Sequence, residues 1–281
     1  MTADGRMDQT TSAPDESERF ATLSAAGAAL DPVASESARS ADAAVAGFSR
    51  HEYGRSPDQF LEVYGDPTTT SATVIFVHGG YFRQGTDLTH ARPLAAALAE
   101  AGVLCVLVEY RRSGGQPNCL DDVTSAIAFA CDSLSAWGVN PRARDRLIVS
   151  GHSAGGCLVL AWASHLGEVG PEFRLRPLAP ITDLFREVED GLAGGAVLDY
   201  MGASPEQDLA PYLREDPRSR ALLIPGRADL VTFHGDRDLT VDIGFSRVFP
   251  ARLIVAEGAD HADLVDPDSK HFPLLLDVLL G

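Results

Sequence analysis

The chain has 281 residues, enough for one large α/β domain or two small ones around a buried core. A formal net charge of −17 makes a surface that repels nucleic acid and anionic membranes, so neither is expected as a partner. No uninterrupted apolar run reaches the length of a membrane span, and a globular domain acting on a small molecule is the expectation.

Residues 1–18 are rich in Asp, Thr, Ser and Ala and lack large apolar side chains, which predicts a disordered tail. They also lack an apolar stretch of signal-peptide type, and cytoplasmic residence is expected. Residues 19–50 are alanine-rich, and a helical arm is predicted there. The main domain is expected over residues 51–281. Its first element, "FLEVYG" at 60–65, alternates apolar and polar residues as an antiparallel edge strand would.

From Thr73 onward, short β-rich apolar runs alternate with helical stretches. "TVIFV" is followed by "ARPLAAALAEAG", "VLCVLVEY", "LDDVTSAIAFACDSLSAWG", "RLIVS" and "GGCLVLAWASHL". In the fourth of these, Leu120, Val123, Ile127, Ala130, Leu134 and Trp137 recur at steps of three and four, one stripe of a helix. Such alternation predicts an α/β fold, a mostly parallel central sheet flanked by helices. The pattern breaks over about 184–220, read as a small helical cap. It resumes in "ADLVTFHG" and "RLIVAEG" and ends in the helical "FPLLLDVLL".

The four cysteines, Cys105, Cys119, Cys131 and Cys157, form no C-x-x-C pair and no zinc-type spacing. They read as small buried thiols of a reducing compartment. No metal and no cofactor is expected, since neither a P-loop nor a dinucleotide glycine motif follows a strand. Oligomeric state is not encoded in any recognisable pattern, and a homodimer is left open.

Gly151-His152-Ser153-Ala154-Gly155 matches G-x-S-x-G between a strand and a helix. A serine at such a turn stands on a tight backbone with its hydroxyl clear of the sheet, which suits a nucleophile. It needs a base. In an open parallel sheet, functional groups gather after the carboxyl ends of strands. His261 follows the strand in "RLIVAEGADH". His152 is read as structural and facing away; His271 falls at the start of the last helix, and His51, His90 and His165 have no such placement. For the acid that orients the imidazole, "HGDRD" offers Asp238, the preferred choice, and Asp236, the runner-up. The order Ser153, Asp238, His261 is the one expected of this fold. Upstream, "VIFVHGGYFRQG" leaves a strand through His78-Gly79-Gly80. Backbone N–H groups of Gly79, Gly80 and Ala154 are the candidate oxyanion hole. Tyr81 and Phe82 are expected to line the substrate pocket, with His78 bracing the loop.

The stretches "FVHGGYF", "VEYRRSGG…LDDV", "GHSAGG", "HGDRD" and "GADH" together resemble the serine α/β-hydrolases, from about Phe60 to the C-terminus. More narrowly they resemble the small esterases and kynurenine formamidases that carry an H-G-G-x-W loop. The resemblance favours the last letter of "HGDRD", Asp238, as the acid. It implies an acyl-enzyme mechanism on a small aromatic N-formyl amide, with a carboxylesterase of small or metabolite esters as the alternative. A non-catalytic binding protein on a hydrolase fold is the third reading. The chain departs from the H-G-G-x-W pattern at Phe82, where no indole N–H is available.

Overall fold

The computed structural model describes residues 47–112 and 118–281. Eight strands form one sheet in the order β1-β2-β4-β3-β5-β6-β7-β8. They are β1 (Phe48–Glu52), β2 (Phe60–Tyr64), β3 (Thr73–Val77), β4 (Leu104–Val108), β5 (Leu147–His152), β6 (Phe173–Leu178), β7 (Ala228–Gly235) and β8 (Arg252–Ala256). The pairings β1–β2 and β2–β4 are antiparallel, and every other pairing is parallel. This is the mostly parallel, helix-flanked sheet that strand–helix alternation predicts and the arrangement that the resemblance implies.

Helices α1 (Arg92–Glu100), α2 (Cys119–Ser133), α3 (Pro141–Asp145) and α4 (Ala154–Ser164) alternate with the first strands. Between β6 and β7 lie four short helices, α5 (Leu184–Glu189), α6 (Ala196–Met201), α7 (Ala210–Glu215) and α8 (Pro217–Arg220). Helices α9 (Gly244–Arg247) and α10 (Phe272–Leu280) complete the α-helices among the described residues. Side chains of a strand point alternately to its two faces. In β3, Ile75 and Val77 join one core with the stripe of α2 and with α4, while Val74 and Phe76 join another with α1 and α10. Burial on both faces is why the run "TVIFV" is apolar throughout.

Three expectations need correction. Strand β2 is not an edge, because β1 covers it. Its polar Glu62 does not face water: it is buried and held by Arg92, with Nη2 2.7 Å and Nε 3.0 Å from the carboxylate oxygens. A two-pronged guanidinium satisfies a carboxylate that burial would otherwise penalise. The predicted helical arm 19–50 lies outside the described residues up to 46, and residues 48–50 are strand β1. Cys131 is exposed, unlike the other three thiols.

Candidate active site

The site is set by strand register. Val77, the last residue of β3, is level with Val108 of β4 and Gly151 of β5. The chain therefore leaves β3 at His78 beside the point where β5 gives way to Ser153. On the other flank, His152 is level with Leu178, and Leu178 with Phe233. The ends of β5, β6 and β7 thus open onto one rim, where an α/β sheet gathers functional groups.

Ser153 occupies the junction of β5 and α4 with φ 57° and ψ −119°, a backbone that L-residues rarely adopt. The turn is held by Ser153 N–H donating to Leu178 O (2.9 Å) and Ser153 O accepting from Cys157 N–H (3.0 Å). Helix α4 packs so close to β3 that a Cβ on Gly155 would lie 2.1 Å from Val77 O, so only glycine fits there. Ala154 opens the helix, and its N–H has no carbonyl within that helix to bond.

The H-G-G loop lies against this turn. A Cβ on Gly79 would meet His152 O at 2.9 Å and Ser153 Cβ at 3.1 Å. The loop's backbone is unusual for three residues in a row: Gly80 has φ 124°, Tyr81 φ 55° and Phe82 φ 58°. Two non-glycine residues in the left-handed region need support from their surroundings. Part of it comes from His78, as expected. His78 Nδ1 donates to Gly79 O (2.6 Å), Tyr110 Oη donates to His78 O (2.9 Å), and the Tyr110 ring stacks on the imidazole at 4.6 Å.

Behind His78 sits a buried carboxylate that the sequence reading did not single out. Glu109 accepts from Leu88 N–H (2.8 Å), Tyr110 N–H (2.9 Å) and Arg112, and lies 3.2 Å from His78 Nε2. Burial alone would raise its carboxyl, but His78 and Arg112 hold it down at about 2. The charge is thus fixed, and the loop is anchored from below. The only sequence signal was an acid at the end of an apolar strand.

Phe82 was expected to line the substrate pocket. It is buried, and its ring lies flat on Tyr200 of α6, with centroids 4.4 Å apart and planes 6° apart. Arg83 adds contacts to Gly194 O (3.1 Å) and Asp199 (3.2 Å). The H-G-G loop is therefore joined to the helical segment between β6 and β7. Tyr81 is partly exposed on the same loop.

His261 and Asp238 come together as the sequence order predicts: His261 Nδ1 lies 2.6 Å from Asp238 Oδ2. Asp238 Oδ1 accepts from Thr240 N–H (2.9 Å) and Val241 N–H (2.8 Å). Burial pushes the Asp238 carboxyl up. Hydrogen bonds from His234, His261 and the Val241 backbone outweigh it, and the group stays well below the usual carboxylate range. The runner-up, Asp236, is exposed and caps Gly258 N–H at 2.6 Å.

His152 does not face away. Its buried ring lies 4.3 Å from that of His261, and its Nε2 donates to His261 O at 3.1 Å. Burial and the neighbouring His261 hold it well below the usual histidine range, so it remains neutral beside the second imidazole. The alternation rule failed because the chain turns into α4 directly after His152. Among the described residues no cluster of three or more His, Cys, Asp or Glu side chains could hold a metal, and no helix is long and apolar enough to cross a membrane.

Fold and site fit the pattern of the α/β-hydrolases, and comparison with known proteins supports the fold. A family described as having the alpha/beta hydrolase fold matches residues 74–203. The chain is 32% identical to an esterase, LipC, of Mycobacterium tuberculosis over 80% of its own length and 59% of that protein. It is 25% identical to a probable isoprenylcysteine alpha-carbonyl methylesterase of Oryza sativa over 76% of its length and 58% of the relative. The chain spans less than three fifths of the length of the curated relatives it matches. Among solved structures, esterase B of Lactobacillus rhamnosis superposes with a TM-score of 0.63 at 17% identity, covering 93% of this chain and 92% of that one. The chain has the α/β-hydrolase fold.

Proposed function

We propose that the protein is a carboxylesterase that cleaves small esters through an acyl-enzyme on Ser153. The observation that carries this reading is the strained Ser153 turn, packed against the H-G-G loop and directly following His152, whose ring lies 4.3 Å from that of the Asp238-bonded His261. In the proposed reaction Ser153 Oγ attacks the ester carbonyl and His261 accepts its proton. Asp238, bonded to Nδ1, holds the imidazole so that Nε2 is the working nitrogen, and stabilises the imidazolium. Charge gathers on the carbonyl oxygen, where N–H groups of Gly79, Gly80 and Ala154 are the donors of the oxyanion hole. His261 then protonates the leaving alkoxide, and water repeats the sequence to release the acid.

The H-G-G loop and its aromatics point first to an aryl formamide. The ester is preferred because LipC and the methylesterase, two relatives that align along most of this chain, are named as esterases. Phe82 also weighs against the formamidase reading, since its ring is engaged by Tyr200 instead of standing free to stack on a flat substrate. The same contact favours a short acyl group, because it fills space beside the loop. The test is turnover of p-nitrophenyl esters of increasing chain length beside N-formylkynurenine. Highest kcat/KM on short chains supports the proposal; a preference for the formyl amide restores the other reading.

A further inference from the structure

We propose that His234 is a positioning residue for the Asp238–His261 pair: it shares the Asp238 oxygen that His261 uses and tempers the pull of that carboxylate on the imidazole. The proposal rests on the assignment of Ser153, Asp238 and His261 above. His234 is fully buried at the end of β7, four residues before Asp238. Its Nε2 lies 2.9 Å from Val241 O and 3.2 Å from Asp238 Oδ2. A carbonyl oxygen can only accept, so Nε2 carries the proton and offers it to both oxygens as a three-centre donor. Nδ1 is 2.7 Å from Ser246 Oγ, whose hydroxyl can donate to it. Both edges of the ring are thereby fixed, and so is the tautomer.

Asp238 Oδ2 then serves two imidazoles, at 2.6 Å and 3.2 Å, while Oδ1 takes two backbone N–H groups. A hydrogen bond to a carboxylate disperses its charge. Removing one donor concentrates charge on the oxygen facing His261 and favours the imidazolium, so a base that must be neutral to act is lost at higher pH. The ionisable groups around the pair are His152 from the end of β5, His234 from the end of β7, and Asp260 and Asp263 in the loop of His261 itself. Asp263 is engaged by Asp260 N–H and Ser269 Oγ.

The test is the second-order rate of Ser153 labelling by a fluorophosphonate across roughly pH 5 to 9, where an imidazole titrates. It compares wild type with His234→Phe, His234→Gln and Ser246→Ala. This readout does not depend on which acyl substrate is correct. His234→Phe is expected to slow labelling several-fold and move the acid limb up by about half a pH unit. His234→Gln, which keeps an N–H donor, is expected to fall between it and wild type. A purely structural role would lower the amount of labelled protein without moving the limb. An unmoved limb in folded His234→Phe overturns the proposal. Should that variant not fold, Ser246→Ala decides: a smaller shift in the same direction supports the proposal, and none overturns it. Wild type that labels on Ser153 yet turns over no ester removes the esterase reading alone. Wild type that does not label removes the catalytic assignment and this role with it.

Discussion

Asp238 Oδ2 and His261 Nδ1 are 2.6 Å apart, although 23 residues separate them and they sit on loops after different strands. Parallel pairing of β7 with β8 brings them together, since Gly235 is level with Ala256. Asp238→Asn would keep the shape and lose the charge, leaving an amide that can face Nδ1 with the wrong group. Loss of kcat by roughly 10⁴-fold is expected, with unfolding temperature little changed. Asp236→Asn, on the exposed side of the same turn, should keep near wild-type kcat. Steady-state kinetics on both variants would expose a reversed assignment.

Gly79→Ala tests the oxyanion loop. The added Cβ would stand 2.9 Å from His152 O and 3.1 Å from Ser153 Cβ, and backbone must give way. Displacing a hole donor should lower kcat on the order of 10²-fold, with KM largely kept. A matched fall in kcat/KM through KM alone would place the glycine in binding instead.

The Phe82–Tyr200 stack couples the loop to α6. Phe82→Ala is expected to cost about 3 kcal/mol or more of stability through loss of a buried ring, and to lower kcat as the loop loosens. Phe82→Trp, which creates the H-G-G-x-W pattern, should also destabilise, by about 1–3 kcal/mol, because the larger ring has to displace Tyr200. Denaturant melts and kcat measured together would check both.

The segment between β6 and β7 carries its own pH response. Burial raises the Glu215 carboxyl to about 7, against the opposing hydrogen bond from Tyr200 Oη at 2.6 Å and the charge of Arg214. Glu187 is likewise raised by burial to about 7. The native state thus keeps protons that the unfolded chain releases near 4.5. Stability attributable to these groups is full below that value, falls as pH rises through about 7, and is level above it. Glu215→Gln retains an acceptor for Tyr200 and removes the titration. Its melting temperature should exceed wild type by a few degrees at pH 8, and the gap should close near pH 5.

Strand–helix alternation was legible because each parallel strand is buried on both faces, and the apolar runs record that directly. The G-x-S-x-G turn was legible because steric closeness to Val77 demands Gly155. What was hidden depends on register between distant segments. Nothing local in "FLEVY" tells that Glu62 turns inward to Arg92. Nothing near Glu109 tells that it anchors the loop of His78. His152 was misplaced because a two-residue alternation stops at the turn into α4. His234 stood in plain view as a polar member of a largely apolar strand, but its partner Ser246 is 12 residues away across a turn. The stack of Phe82 on Tyr200 was hidden because α6 could not be placed from sequence.

The most direct measurement is hydrolysis of a short p-nitrophenyl ester by purified wild type and by Ser153→Ala, with N-formylkynurenine assayed alongside. Ester turnover that disappears in Ser153→Ala, with little or no formate release in wild type, is the predicted result. Ester turnover that survives in Ser153→Ala, or formate release that exceeds ester cleavage, would contradict it.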